Sequence, residues 1–232
     1  RTLFGTATTR KTQPAASRFR PRLECLEERA VPANLPIPAA TFVQLRDAII
    51  QANQSDDPDI IQIPANTTIT LSAVLPPIHH ALSIQGAGMS SIIQGTGSTI
   101  NPTPEPAPGR LFSVLPKPGV PEVAFGVDFQ NLVLARGEAR GQNGYGGAIF
   151  VDADVIMYVA NVRFEENRAE KEGGAIYVER QGNLIIIENS EHERNSAGEK
   201  GGAIASWGKL SIEESTFTSN SSGENGGALY LY

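Results

Sequence analysis

Asn167-Arg168-Ala169-Glu170-Lys171-Glu172-Gly173-Gly174-Ala175-Ile176-Tyr177-Val178 decides the fold, because it recurs. Asn195 leads to Gly201-Gly202-Ala203-Ile204 and Asn220 to Gly226-Gly227-Ala228-Leu229, the first Gly falling six positions after its Asn each time. An earlier copy lacks the Asn and keeps Gly146-Gly147-Ala148-Ile149, so the first Gly advances by 27, 28 and 25 residues. Self-similarity at such a period signals a stack of like units, none of which buries a core alone.

Upstream of each copy the residues fall into columns. Val159 to Asn167 aligns with Ile187 to Asn195 and with Ile212 to Asn220. Met157 and Val159, Ile185 and Ile187, and Leu210 and Ile212 alternate with outward residues, which is the period of a strand. If one repeat is one coil, column members lie about 4.8 Å apart and their side chains touch. Phe164 and Phe217 are then expected to stack inside with His192 between them, and Asn167, Asn195 and Asn220 to form an amide ladder. The Gly pairs 146/147, 173/174, 201/202 and 226/227 stand where the chain turns back into a strand, a place suited to positive φ.

Nearer the N-terminus, Thr41 and Gln44 have capping-box spacing, and Leu45, Ala48, Ile49 and Ala52 share one face. A helix over 41–53 is expected to cap the first coil. Short β-rich runs follow at Ile60–Ile63, Thr67–Leu71, Leu82–Gln85, Ser91–Gln94 and Leu111–Val114, within irregular coils over 59–128. Seven prolines between Pro102 and Pro121 predict projecting loops. Residues 129–232 hold the repeats, which are expected to continue past Tyr232, and residues 1–40 read as a disordered basic tail. The expected fold class is all-β: a right-handed parallel β-helix of about six coils, roughly 30 Å long, with an N-terminal capping helix.

Three resemblances support this reading. The Phe-x-x-Asn and Gly-Gly-Ala-Ile pairing, complete at Phe164–Asn167 with Gly173–Ile176 and at Phe217–Asn220 with Gly226–Leu229, resembles the repeat of the polymorphic outer-membrane protein family. That resemblance implies a secreted or surface-exposed β-helical passenger linked to adhesion. Residues 45–88 resemble the opening coils of bacterial right-handed parallel β-helix proteins, and Phe19–Ala33 resembles a short element near the N-termini of large bacterial surface and secreted proteins.

Composition narrows the functions. Residues 1–40 carry 7 Lys/Arg against 3 Glu, whereas 41–232 carry 12 against 22 acids, so the folded part is acidic and nucleic acid is not an expected partner. The single Cys25 settles no redox compartment, and no apolar run approaches the roughly 18 residues of a membrane span. A Sec-type apolar core is missing from residues 1–23.

No nucleotide or metal cofactor is expected. Gly86-Ala87-Gly88 follows a strand but lacks a third Gly and a following helix. His79-His80 has no third ligand at metal-site spacing, and Glu rather than Asp dominates after Asp154, unlike repeated calcium sites. Asp152 and Asp154 form an Asp-x-Asp pair in the turn after Phe150-Val151 and are the candidate catalytic carboxylates, against the simpler reading of a solvated turn. Glu165, Glu166, Glu188, Glu191 and Glu193 read as a solvated acidic face, while Asn66-Thr67-Thr68 and Asn220-Ser221-Ser222 fit a glycosylation pattern. The favoured function is a non-enzymatic extracellular or cell-surface, outer-membrane-associated repeat protein of adhesin or passenger type, with surface glycans or proteins as partners. The alternatives are a polysaccharide-active enzyme of lyase or glycoside hydrolase type and a structural spacer.

Overall fold

A computed structural model describes residues 36–55, 57–96, 109–119, 123–180 and 182–232. The Phe19–Ala33 element, residues 1–35 of the basic tail and most of the Pro-rich loops lie outside this set. The described chain winds into six coils whose strands pair only in parallel, so each coil lies in register over the next. It is a parallel β-helix.

A complete coil has three straight stretches, all of them formed in the four coils from Phe125 onward. The first belongs to a long bent sheet. One arm of this sheet runs through Asp59–Ile63, Leu82–Gly86, the front of Phe125–Ala135 and of Val155–Glu165, Leu184–Glu188 and Lys209–Glu213. The other arm holds Thr67–Thr70, Ser91–Gln94, the rear of the two eleven-residue strands, Glu191–Glu193 and Thr216–Thr218. A short sheet follows at Glu138–Ala139, Arg168–Ala169, Ser196–Ala197 and Ser221–Ser222. A third sheet closes the coil with Phe112–Val114, Ile149–Val151, Ile176–Val178, Ile204–Ser206 and Leu229–Leu231.

The corners have a backbone cause. Asn131, Asn161, Asn189 and Glu214 hold φ between 46° and 54° and bend the long sheet between its arms. Arg136, Glu166, Arg194 and Ser219 hold φ of 53° to 56° at the next corner. Asn tolerates the left-handed region better than most residues, so the first corner has a compositional trace and the second has almost none.

The paired glycines divide their work, which refines the sequence expectation. The first of each pair takes positive φ: 61° at Gly146, 64° at Gly173 and Gly201, and 67° at Gly226. The second does not. At Gly174 an added Cβ would lie 2.0 Å from the Gly202 carbonyl oxygen, so this glycine is required by the close approach of the next coil.

Thr41 caps the helix Phe42–Ala52, its Oγ1 accepting the Gln44 N–H at 3.3 Å. The Gln44 side chain accepts from the Ala40 N–H at 2.9 Å, one residue earlier than a standard capping box would place it. Leu45, Ala48, Ile49 and Ala52 are buried, and the helix packs on the first strands. At its other end Asn53 donates to the Pro77 carbonyl at 2.7 Å and accepts the His79 N–H at 2.9 Å. Ile37–Pro38 already pairs with Ile61 and Gln62 and Ala39 is buried, so ordered pairing begins before Thr41 rather than at it.

Candidate functional site

The repeat residues turn inward. Asn167 and Asn195 are fully buried. Asn195 Nδ2 donates to the Phe164 carbonyl above and to Asn220 Oδ1 below, each at 3.0 Å, while its Oδ1 accepts both the backbone and side-chain N–H of Asn167 at 3.0 Å. The copy lacking Asn presents Gly137, whose backbone N–H ends the ladder on Asn167 Oδ1 at 2.8 Å. Beside this ladder His192 stacks between Phe164 and Phe217, with ring centres 4.6 and 4.5 Å apart and planes 8° off parallel. Burial lowers its pKa to about 3, and neither ring nitrogen has a partner. These residues hold coils together, and none of their polar atoms faces solvent in a form suited to chemistry.

A second ladder was not legible as such. Asn161 donates to Asn131 at 3.1 Å and Asn189 to Asn161 at 2.5 Å, along the first corner. It lies outside, on the bend.

The outward acids are less free than a solvated acidic face implies. Arg163 meets Glu191 at 2.6 Å, Arg136 meets Glu166 at 3.4 Å, and Arg194 reaches Glu165, Glu166 and Glu193. Tyr158 donates to Glu188 at 2.6 Å, which raises the phenol pKa. Register causes this: parallel coils place Arg163 over Glu191 and Tyr158 over Ile186, two positions before Glu188 on the same face. A shallow cleft of about 320 Å³ on the short sheet is lined by Glu138, Ala139, Arg140, Arg168 and Glu170, with Arg140 paired to Glu138 at 2.7 Å.

Most exposed chemistry gathers along one edge of the third sheet. The ladder continues past the strands through the N–H groups of Asp152, Glu179, Trp207 and Tyr232, which bond to Val114, Val151, Val178 and Ser206 of the coil above. These four residues therefore form one column. Arg180 bridges the candidate carboxylates, with Nε 2.8 Å from Asp152 Oδ1 and Nη1 3.8 Å from Asp154 Oδ1. Two and three coils beyond Asp152, Trp207 and Tyr232 stack at 3.8 Å with planes 5° apart. Tyr232 donates to the buried Glu172 at 2.5 Å, and burial with that bond raises its pKa. Lys200 Nζ lies 4.8 and 4.9 Å from the ring centres of Tyr230 and Tyr232.

Behind this edge the aromatic rings are packed away. Tyr177 lies between Phe150, 5.9 Å and nearly parallel, and Tyr145 at 4.6 Å. Arg110 sits 4.5 Å over Phe150 and donates to the carbonyls of Asn143, Tyr145 and Gly146; burial lowers its pKa to about 10.

Sequence reasoning singled out Asp152 and Asp154 but missed Arg180, Trp207 and Tyr232. A signal existed: Asp152, Glu179, Trp207 and Tyr232 each stand three positions after the last residue of a Gly-Gly-Ala-Ile/Leu motif. His79 and His80 do not meet as ligands. Nδ1 of His79 lies 2.9 Å from the Leu115 carbonyl, and no group of three or more His, Cys, Asp or Glu among the described residues could hold a metal ion. Asn66 is an exposed corner residue with φ 55°, whereas the Asn220 side chain is engaged in the ladder.

Stacked parallel coils with an internal amide ladder define a β-helical repeat protein. Residues 161–179 and 214–232 match the family model of the Chlamydia polymorphic membrane protein repeat, so this solenoid carries repeats of that type. The matched spans flank the copy with His192 and include two members of the edge column, Glu179 and Tyr232. No curated protein and no solved structure matches the chain. Among the described residues no helix is long and apolar enough to cross a membrane. Repeat type and solenoid together fit a surface-type repeat protein.

Proposed function

We propose that the chain is the β-helical part of a non-enzymatic, outer-membrane-associated or secreted protein that works as an adhesin or passenger. The observation that carries this reading is the pair of polymorphic membrane protein repeats, placed in register within one continuous stack. Such a stack offers a long rigid surface, and its buried ladders leave the outer columns free to vary for recognition. Surface biotinylation and protease shaving of intact cells, with the full-length protein tracked by antibody, test it. Labelling at the surface supports the reading, and a protein protected until lysis and confined to the cytosol refutes it.

A polysaccharide-active enzyme is the second reading, because Asp152 and Asp154 share an edge with exposed aromatic rings. Glycan cleavage by the purified protein that is abolished by Asp152→Ala would favour it. Against it stands the 2.8 Å ion pair that already engages Asp152.

A further inference from the structure

We propose that the fifth coil, which carries His192, is an acid-sensitive joint at which the solenoid opens while the coils before it stay wound. The inference is independent of where the protein resides and goes beyond the function proposed above.

The inward column of the second arm marks the joint. Counting coils from Asp59, it reads Ile69, Ile93, Leu134, Phe164, His192 and Phe217, each in register with the next. Only the fifth member titrates. Its side chain has no exposed surface and is held between two rings that lie 8° from parallel with it. The two nitrogens therefore stand at the ring edge, away from both Phe faces, and neither has a hydrogen-bond partner. A protonated imidazole carries two N–H donors and a charge, and this site supplies no acceptor for them. The Phe faces attract a cation, but they do not replace hydration at the ring edge. The wound coil consequently keeps His192 neutral.

No neighbouring charge offsets this. Glu191 and Glu193, on either side of His192 in its own strand, point outward onto Arg163 and Arg194. In the coil before, Arg163 and Glu165 flank Phe164 on the outward side, and in the coil after, Phe217 lies between Thr216 and Thr218. The buried residues that the other two sheets contribute to the fifth coil, Ala197, Ile204 and Ala205, carry no charge.

Acid acts through the open form. Once the coil loosens, the imidazole meets water and regains its ordinary pKa of 6.5, against about 3 when wound. The wound pKa is the lower one, so the effect is absent well above pH 6.5 and grows as pH falls, because protons bind only the open form. Each coil of a solenoid touches only its neighbours, which confines the opening to the two interfaces that His192 shares. Asn167 N–H crosses the first to Asn195 Oδ1, and Asn195 N–H crosses the second to Asn220 Oδ1. The interface between the third and fourth coils, crossed by Gly137 N–H to Asn167 Oδ1, sets Leu134 on Phe164 and has no titratable member in this column.

Residue-resolved amide exchange on the intact protein at pH 7.5 and pH 5, expressed as protection relative to the intrinsic rate, tests the proposal. The N–H groups of Glu166, Asn167, Arg194 and Asn195 cross the two interfaces of the fifth coil, and those of Arg136 and Gly137 cross the interface before them. Protection of the first group should fall about thirtyfold at pH 5, the factor that an open-state pKa of 6.5 gives, and that of the second by less than about threefold. The selective fall should vanish in His192→Phe and in His192→Leu, the latter removing the ring as well as the charge. An equal fall in both groups, the mark of whole-chain unfolding, overturns the proposal. So does the lack of a fall in the parent, or a selective fall that persists in either variant.

Discussion

Replacing His192 with Phe should stabilise the stack and flatten its response to acid. His192 is fully buried between Phe164 and Phe217, in the column where both neighbours are Phe, and its two ring nitrogens have no hydrogen-bond partner. A buried unsatisfied polar group costs about 1–3 kcal/mol, so a ring without nitrogens should recover about 2 kcal/mol at neutral pH. The acid response follows from the pKa, which burial lowers from 6.5 to about 3. Below pH 6.5 the unfolded chain binds a proton that the folded chain refuses. Stability therefore falls with pH, by about 1.4 kcal/mol per unit, until the folded pKa is approached. At pH 5 the parent should have lost about 2 kcal/mol through this residue alone. Urea unfolding followed by circular dichroism at pH 7.5 and pH 5, on parent and His192→Phe, isolates the effect, since carboxylate contributions are common to both. The gap between the two proteins should double or more at pH 5. An equal pH dependence in both, or a variant less stable at pH 7.5, would refute the reasoning.

Asn195→Ala breaks four hydrogen bonds at a fully buried site and should cost about 3–5 kcal/mol, while Asn189→Ala on the outer ladder should cost under ~1 kcal/mol; urea midpoints of the two variants compare them. Gly174→Ala should prevent soluble expression or lower the melting temperature by many degrees because its Cβ would meet the Gly202 oxygen at 2.0 Å. Gly126→Ala, in a strand with open space around it, should be neutral or mildly stabilising by the same thermal scan. Thr41→Ala should cost about 1 kcal/mol by losing the cap of the first helix, read as faster amide exchange over residues 42–46.

The sequence carried the architecture because solenoid packing repeats. Asn167, Asn195 and Asn220 align only if one repeat is one coil, and from that single register the Phe–His–Phe stack and the alternation at Met157 and Val159 followed. The corners at Asn131, Asn161 and Asn189 leave a trace in residue type that went unread, and those at Arg136, Glu166 and Arg194 leave none, since their side chains give no hint of φ near 54°. The candidate site was half visible. Carboxylate chemistry drew attention to Asp152 and Asp154, but their partner Arg180 lies 28 residues from Asp152 and is brought near only by stacking. Trp207 breaks its column in the way that His192 breaks another, and a solitary substitution does not reveal which side of the coil it faces.

The amide ladder also sets how such a protein can change in length. Asn195 finds one partner in the coil before it and another in the coil after it, and none within its own. Any coil that presents Asn at this column can be inserted, deleted or duplicated, provided the change is one full period of 25 to 28 residues. A change of any other size displaces every later amide from its partners and sets glycines against side chains. Recombination between copies within one gene would conserve that period automatically, so descendants of this chain should differ by whole coils while the column residues stay fixed.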